Sequence, residues 1–259
     1  MSEVASLPAV LITGGAARLG GEMTKRFADA GWHIVIHYRE SDEEAEALAA
    51  TLPSAETVQC DLADPNAALA LACDLAERLP NWRCLINSAA VFRYDDVTGI
   101  DVEANREAMQ VNAVSPAIIA QAFLANATGK APRVAIQFTD MKLENPNPDF
   151  FSYTMSKHAA ASTIEMLAMT APDDARVYGI APGAILASHD QSEEETEVSH
   201  RMNLLERRTG ADEISGAALY LATGHLRSGS TLYIDSGQHL LSQPRDVIYL
   251  AREQQEGTA

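Results

Sequence analysis

The sequence predicts an α/β domain, a doubly wound sheet of about seven parallel strands flanked by helices on both faces. Short apolar runs alternate strictly with stretches of helical length and pattern. The runs are too apolar to have a wet face, as strands covered on both sides must be. No internal repeat, low-complexity linker or composition shift divides the 259 residues, so 1–259 reads as a single domain with a well-buried core.

In chain order, Pro8 to Thr13 is a strand that stops at Gly14-Gly15, and a helix follows from about Arg18 to Ala30, ended by Gly31. His33 to His37 is the second strand. Ser41 is a plausible cap for an acidic, alanine-rich helix over about 41–51. The third strand covers 56–60, Pro65 opens a helix to about Leu79, and the fourth strand runs over 83–87, ending at Asn87. A long helix covers about 101–127. Arg133 to Phe138 is a strand, and a helix carrying Tyr153 extends to about Met169. A strand at 176–180, a helix at about 212–222 and a last strand at Thr231 to Asp235 complete the alternation. Two stretches stand outside it. Residues 186–209, with Glu193-Glu194-Glu195 near their middle, form an insertion after a strand and read as a substrate loop, or otherwise as a solvated acidic helix. Residues 243–259 form a polar tail, either mobile or packed on a partner subunit.

There are 19 basic and 36 acidic residues, a net charge of −17, which argues against nucleic acid and anionic membrane as partners. No apolar run approaches the roughly 20 residues needed to span a bilayer. The N-terminus carries no export signal, so the expected location is cytoplasmic. Cys60, Cys73 and Cys84 match no zinc spacing and give no disulfide framework; no metal site is expected.

Thr13-Gly14-Gly15-Ala16-Ala17-Arg18-Leu19-Gly20 joins the first strand to the first helix. A strand, a glycine turn and a helix start offer backbone N–H groups to a pyrophosphate, the arrangement of a Rossmann-type cofactor site. The second strand ends in His37-Tyr38-Arg39-Glu40-Ser41. Arg39, with Ser41 and Arg18, suits a ribose 2′-phosphate, which favours NADPH over NADH. Tyr153 and Lys157 are four residues apart on a helix, with Cβ atoms roughly 5–6 Å apart. An ammonium so placed is expected to lower the phenol pKa from about 10 and make Tyr153 a proton donor.

Collectively these residues resemble the short-chain dehydrogenase/reductase family over nearly the whole chain. Thr13 to Gly20 looks like its cofactor turn, and Asp61-Leu62 like its adenine contact. Asn87-Ser88-Ala89-Ala90 resembles its fourth-strand end, and Asn112 falls where it carries a helix Asn. Tyr153 with Lys157 is its catalytic pair. Ala181-Pro182-Gly183 and Tyr233-Ile234-Asp235-Ser236-Gly237 resemble its turn beside the nicotinamide and its terminal strand. The resemblance implies a reductase in which Tyr153 gives a proton, Lys157 holds the nicotinamide ribose and Asn112 holds a water of the proton relay. It also implies a homo-oligomer, a tetramer built through the helices at about 101–127 and 152–169.

The departures narrow the reading. Thirteen residues before the Tyr, the family's usual Ser is replaced by Asp140. An ionised carboxylate only accepts hydrogen bonds, so it suits a substrate with N–H or NH2 groups, and a pKa raised by burial would let it share a proton with Tyr153. Arg18 stands where most relatives carry a glycine. With His37-Tyr38-Arg39 and Gly237-Gln238-His239-Leu240, these features resemble the pteridine and dihydromonapterin reductase branch, in which the Asp–Tyr pair protonates a pterin ring nitrogen. That branch stacks an aromatic residue on the pterin. Here Val91 holds that position and Phe92 follows, and Ala187, then Ser188, stand where a Thr is frequent. The expected activity is NADPH-dependent reduction of a dihydropterin or dihydrofolate. The rivals are reduction of another carbonyl or imine, and an NADPH-binding sensor without turnover.

Overall fold

The computed structural model describes residues 7–188 and 191–257. Residues 1–6, two residues of the expected substrate loop (189–190) and the last two of the tail (258–259) lie outside the described residues. The strands are β1 (Ala9–Thr13), β2 (His33–Tyr38), β3 (Ala55–Gln59), β4 (Trp82–Asn87), β5 (Arg133–Phe138), β6 (Ala175–Pro182) and β7 (Thr231–Ile234). All pair in parallel in the order β3-β2-β1-β4-β5-β6-β7, a doubly wound Rossmann-type sheet. The helices are α1 (Arg18–Asp29), α2 (Asp42–Ala50), α3 (Pro65–Arg78), α4 (Val102–Met109), α5 (Ser115–Asn126), α6 (Phe151–Thr170), α7 (Glu193–Ser199), α8 (Ala211–Leu221) and α9 (Val247–Gly257).

Alternate residues of each strand feed opposite faces, so the sheet carries two cores. Leu11, Val35, Leu85, Ala135 and Val177 pack with Trp82, Phe123 and residues of α3, α5 and α6. Val10, Ile12, Ile34, Ile36, Ile86, Ile136 and Ile180 pack with Met23, Phe27 and residues of α8. β1 lies between β2 and β4, with Thr13 in register with Asn87. The progression of the strand order reverses there, and such a switch point opens a crevice beyond the strand ends.

The expected helix over about 101–127 is continuous but not uniform: Gln110–Val114 is a π-helical segment between α4 and α5. Its extra residue per turn offsets the face of α4 from that of α5. By length and composition Val102–Asn126 could cross a membrane, which a search for unbroken apolar runs does not detect. Most of it is buried in the fold, as in a core helix. Cys60 and Cys84 are buried and Cys73 is exposed, all three free. The loop after β6 contains α7, started by a reciprocal cap between Ser192 and Glu195. The polar tail differs from expectation. Val247, Ile248 and Ala251 are buried, so residues 247–257 form a helix that packs on α7 of the same chain, with Arg252 Nε 2.8 Å from Glu195 Oε1. Its polar composition hid one apolar stripe.

Candidate active site

The crevice is a cavity of about 610 Å³, within the range of small-molecule sites. Its inner rim is the glycine turn. Gly14 has φ +65°, and a Cβ there would meet the Ala89 backbone at 3.2 Å. At Gly20 a Cβ would lie 1.9 Å from the Gly14 carbonyl oxygen, so no larger residue fits without moving the turn. Arg18, where a relative's glycine would sit, adopts φ +51°, a strained value for a side-chain-bearing residue. Its Nη2 donates to Ala187 O at 3.0 Å and ties the turn to the loop after β6. The start of α1 has no side-chain cap and no acid in its first turn, so its N–H groups and positive dipole end are open to an anion.

Behind this rim lies a buried scaffold. Thr13 Oγ1 accepts the N–H groups of Ser88 and Ala89, both at 3.0 Å. His37 Nδ1 accepts the Gly14 N–H at 3.1 Å, which leaves Nε2 to donate to Cys60 O at 3.0 Å. That pattern requires the neutral ring, and burial holds the His37 pKa down to about 4. Asn87 Nδ2 donates to Pro116 O at 3.0 Å.

Of the residues expected to hold cofactor, Gly14, Arg18, Leu19, Gly20, His37, Arg39, Ser41, Asp61, Leu62, Ser88, Ala89, Pro182 and Gly183 line the cavity. Thr13, Tyr38 and Asn87 do not. Thr13 and Asn87 point into the scaffold beneath it, and Tyr38 packs on the core of α1 and α8. Arg39 sits at the outer end, 46% exposed, with Glu40 at 3.2 Å and Glu107 at 3.6 Å. These ion pairs are open enough to exchange for a phosphate.

The other end holds Tyr153, Lys157 and Asp140. The first turn of α6 is held by Asp95, which accepts both the N–H and the hydroxyl of Ser152. Tyr153 Oη donates to Asp140 Oδ2 at 2.8 Å, and Asp140 Oδ1 accepts the Lys142 N–H at 2.9 Å. The expected effect of Lys157 on Tyr153 is overturned. Lys157 Nζ donates to Phe138 O at 2.9 Å and lies 5.5 Å from the Tyr153 ring centroid. Burial, and then the Asp140 charge and hydrogen bond, push the Tyr153 phenol well above its ordinary pKa. Burial raises the Asp140 carboxyl against the opposing pull of Lys142. Burial lowers Lys157 to about 8, with Asp140 acting the other way. The ends of the chemistry are thus a carboxyl and a phenol that both favour their protonated forms.

Asn112 lies against α6 but does not line the cavity. Its Nδ2 donates to Val91 O at 3.0 Å and Ser156 Oγ at 2.9 Å, and its Oδ1 accepts the Val91 N–H at 2.8 Å. The amide is committed to positioning Val91 and α6, so it offers no free donor to a water in the cavity. Phe92 does face the cavity, 42% exposed. It stacks on Phe150 at 4.1 Å and meets Tyr153 edge-on at 4.7 Å between ring centroids.

Among the lining residues that sequence reasoning missed are Lys142, His200, Gln238 and Asp246. Gln238 was visible only as part of a family-like string. Its Oε1 accepts the Ala184 N–H at 2.9 Å, beside Gly183. His200 is buried, and burial with the Arg208 charge lowers its pKa to about 4. Lys142 and Asp246 are 104 positions apart and meet only through the fold.

The family model described as enoyl-(acyl carrier protein) reductase matches residues 15–239. FolM alternative dihydrofolate reductase 1 from Brucella canis, solved in complex with NADP, superposes with a TM-score of 0.86 at 28% identity, covering 95% of this chain and 99% of that one. Its counterpart from Brucella suis, also with NADP, gives 0.84 at 30% identity over 93% and 98%. Dihydromonapterin reductase of Escherichia coli O6:H1 is 24% identical over 242 residues, 93% of this chain and all of that one. The chain belongs to the short-chain dehydrogenase/reductase family.

Proposed function

We propose that the protein is an NADPH-dependent reductase of a pterin-type substrate, a dihydropterin or dihydrofolate. The observation that carries this reading is the 2.8 Å hydrogen bond from Tyr153 to Asp140. A serine hydroxyl there would donate to a ketone oxygen. Asp140 keeps an acceptor oxygen whether ionised or protonated, and it favours a ring that presents N–H or NH2. The names of the similar proteins, dihydromonapterin reductase and FolM alternative dihydrofolate reductase, support the same substrate class.

The residues fit the cofactor. The open start of α1 and the glycines that admit no Cβ would hold the pyrophosphate, Asp61 and Leu62 the adenine end, and Arg39 with Ser41 the 2′-phosphate. Bound NADPH supplies the hydride to the carbon of a ring C=N. The ring nitrogen then takes the Tyr153 proton. As it leaves, a protonated Asp140 passes its own proton to the phenol oxygen, so the step ends with neutral Tyr153 and an Asp140 carboxylate. Lys157, fixed on Phe138 O, would hold the ribose, and Phe92 offers a ring face to the pterin. Val102, Met155, Met166 and Met169, exposed on α4 and α6, would pack in the homo-oligomer the family resemblance implies, and light scattering reads its size. A cytoplasmic location fits the net charge of −17.

The test is NADPH oxidation by the purified protein with dihydrobiopterin, dihydromonapterin, dihydrofolate and simple ketones. The pterins are expected to turn over, with activity lost about a hundredfold or more in Tyr153→Phe and NADPH binding kept. Turnover of ketones alone overturns the pterin reading.

A further inference from the structure

Asp140 leaves the cavity with an acceptor where the family places a donor, and a substrate oxygen needs a donor from elsewhere. Lys142 meets that need. Asp140 caps the 3₁₀ turn Met141–Leu143 and accepts the Lys142 N–H, so the carboxylate and the ammonium leave one short turn together. The Lys142 side chain is 4% exposed, yet it lines the cavity and passes over the Phe150 ring at 5.0 Å. Its Nζ lies 2.5 Å from Asp246 Oδ2, itself 8% exposed. Beyond that ion pair, the buried Nζ has no hydrogen-bond partner among the described residues. An ammonium has three donors, and burying any of them unpaired is costly. Asp246 is itself fixed, because its N–H donates to Asp149 Oδ2 at 2.8 Å and its Oδ1 accepts the Ile248 N–H at 3.1 Å. Asp149 in turn is held by Arg245 Nε at 2.8 Å. The C-terminal segment therefore holds the ammonium in place without using all its donors.

We propose that Asp140 and Lys142 form a two-point recognition site for a heterocycle edge that carries an N–H or NH2 group beside a ring carbonyl. Asp140 accepts from the nitrogen, Lys142 Nζ donates to the carbonyl oxygen, and Asp246 is the counter-charge that keeps Lys142 buried and aimed. The inference deepens the pterin reading and rests on it: it makes the 2-amino-4-oxo edge, rather than the reducible C=N alone, the feature selected. A 2,4-diamino edge puts a donor opposite the ammonium.

The experiment is a pair of titrations on the NADP⁺-saturated protein, with a 2-amino-4-oxopteridine and its 2,4-diamino analogue. The variant is Lys142→Met combined with Asp246→Asn, which removes the donor without leaving a buried lone carboxylate. Asp246→Asn alone, which keeps the donor, separates packing from recognition, and NADP⁺ affinity reports that each variant is folded. The ratio of the two Kd values is expected to move about tenfold or more toward the diamino ligand in the double variant, the loss of a hydrogen bond from a charged donor. In Asp246→Asn, which keeps the donor but removes the counter-charge that aims it, the ratio moves the same way by less than in the double variant, and a shift as large as that of the double variant overturns the role of the Lys142 donor. If both ligands weaken by one common factor in the double variant, or neither changes, the recognition role is overturned while the pterin reading stands. If the parent protein binds neither pteridine, both fall.

Discussion

Replacing Asp140 with Asn tests whether the carboxyl is the proton reserve behind Tyr153. The two oxygens are 2.8 Å apart. Were Tyr153 to give up its proton while Asp140 was ionised, two negative charges would face each other at that separation. With an effective dielectric of about 20, their repulsion is about 6 kcal/mol. At about 1.4 kcal/mol per tenfold, that route is slower by about four powers of ten than one through a protonated Asp140. On the proposed mechanism the active form therefore carries the proton on Asp140, whose pKa burial raises. The sign follows: kcat/KM is flat at low pH and falls about tenfold per pH unit once pH rises through the Asp140 pKa. Asp140→Asn keeps the shape of the side chain and an oxygen for the Lys142 N–H, but has no proton to lose. Its low-pH rate is expected to drop about a hundredfold, and the falling limb to disappear. The assay is initial-rate NADPH oxidation with a dihydropterin between about pH 5 and pH 9. A variant that keeps the same falling limb refutes the argument and assigns the limb to another group. Lys157, lowered to about 8, would be the first to consider.

Three further outcomes follow from the cofactor end. Gly20→Ala places a Cβ 1.9 Å from the Gly14 oxygen; NADPH affinity, read by fluorescence titration, should fall at least tenfold, since the turn must move out of its phosphate-binding shape. Arg39→Ala should weaken NADPH by about tenfold and leave NADH nearly unchanged, the loss of one charge-assisted contact; equal weakening of both would remove Arg39 from 2′-phosphate recognition. His37 is buried neutral with its pKa lowered to about 4 from 6.5, so it contributes stability that is complete above pH 6.5 and lost as pH falls toward 4. That loss is up to about 3 kcal/mol. Thermal melts across this window should show a smaller pH slope in His37→Gln, with His200, also lowered to about 4, carrying the remainder.

The fold was legible because its strands are covered on both faces, so each appears in the sequence as an unbroken apolar run such as Ala9–Thr13 or Arg133–Phe138. The cradle was legible because a strand, a glycine turn and a helix are local in sequence. The limits lie where the deciding contact is remote. The tail helix buries Val247, Ile248 and Ala251 against elements remote in sequence. The π-helical segment at Gln110–Val114 changes a helix by one residue, too little to disturb the apolar pattern.

The Tyr153–Lys157 pair shows why a correct motif can carry the wrong electrostatics. Four-residue spacing puts both side chains on one face of α6, but not the ammonium on the phenol. Lys157 is drawn to Phe138 O at the end of β5. Asp140, only two residues further along from Phe138, accepts the Tyr153 hydroxyl instead. One strand end therefore supplies both competing partners and, after burial, which is the larger cause, adds to the reversal of the expected pKa shift. On the proposed mechanism this favours a proton reserve next to Tyr153: a buried phenol that holds its proton tightly gives it up more readily where another is ready to replace it. The same strand end then continues into the turn that carries Lys142. On the proposed reading, proton supply and substrate recognition come from one short turn, Asp140 to Lys142, so a substitution at Asp140 should disturb kcat and KM together, whereas one at Lys142 should act mainly on KM.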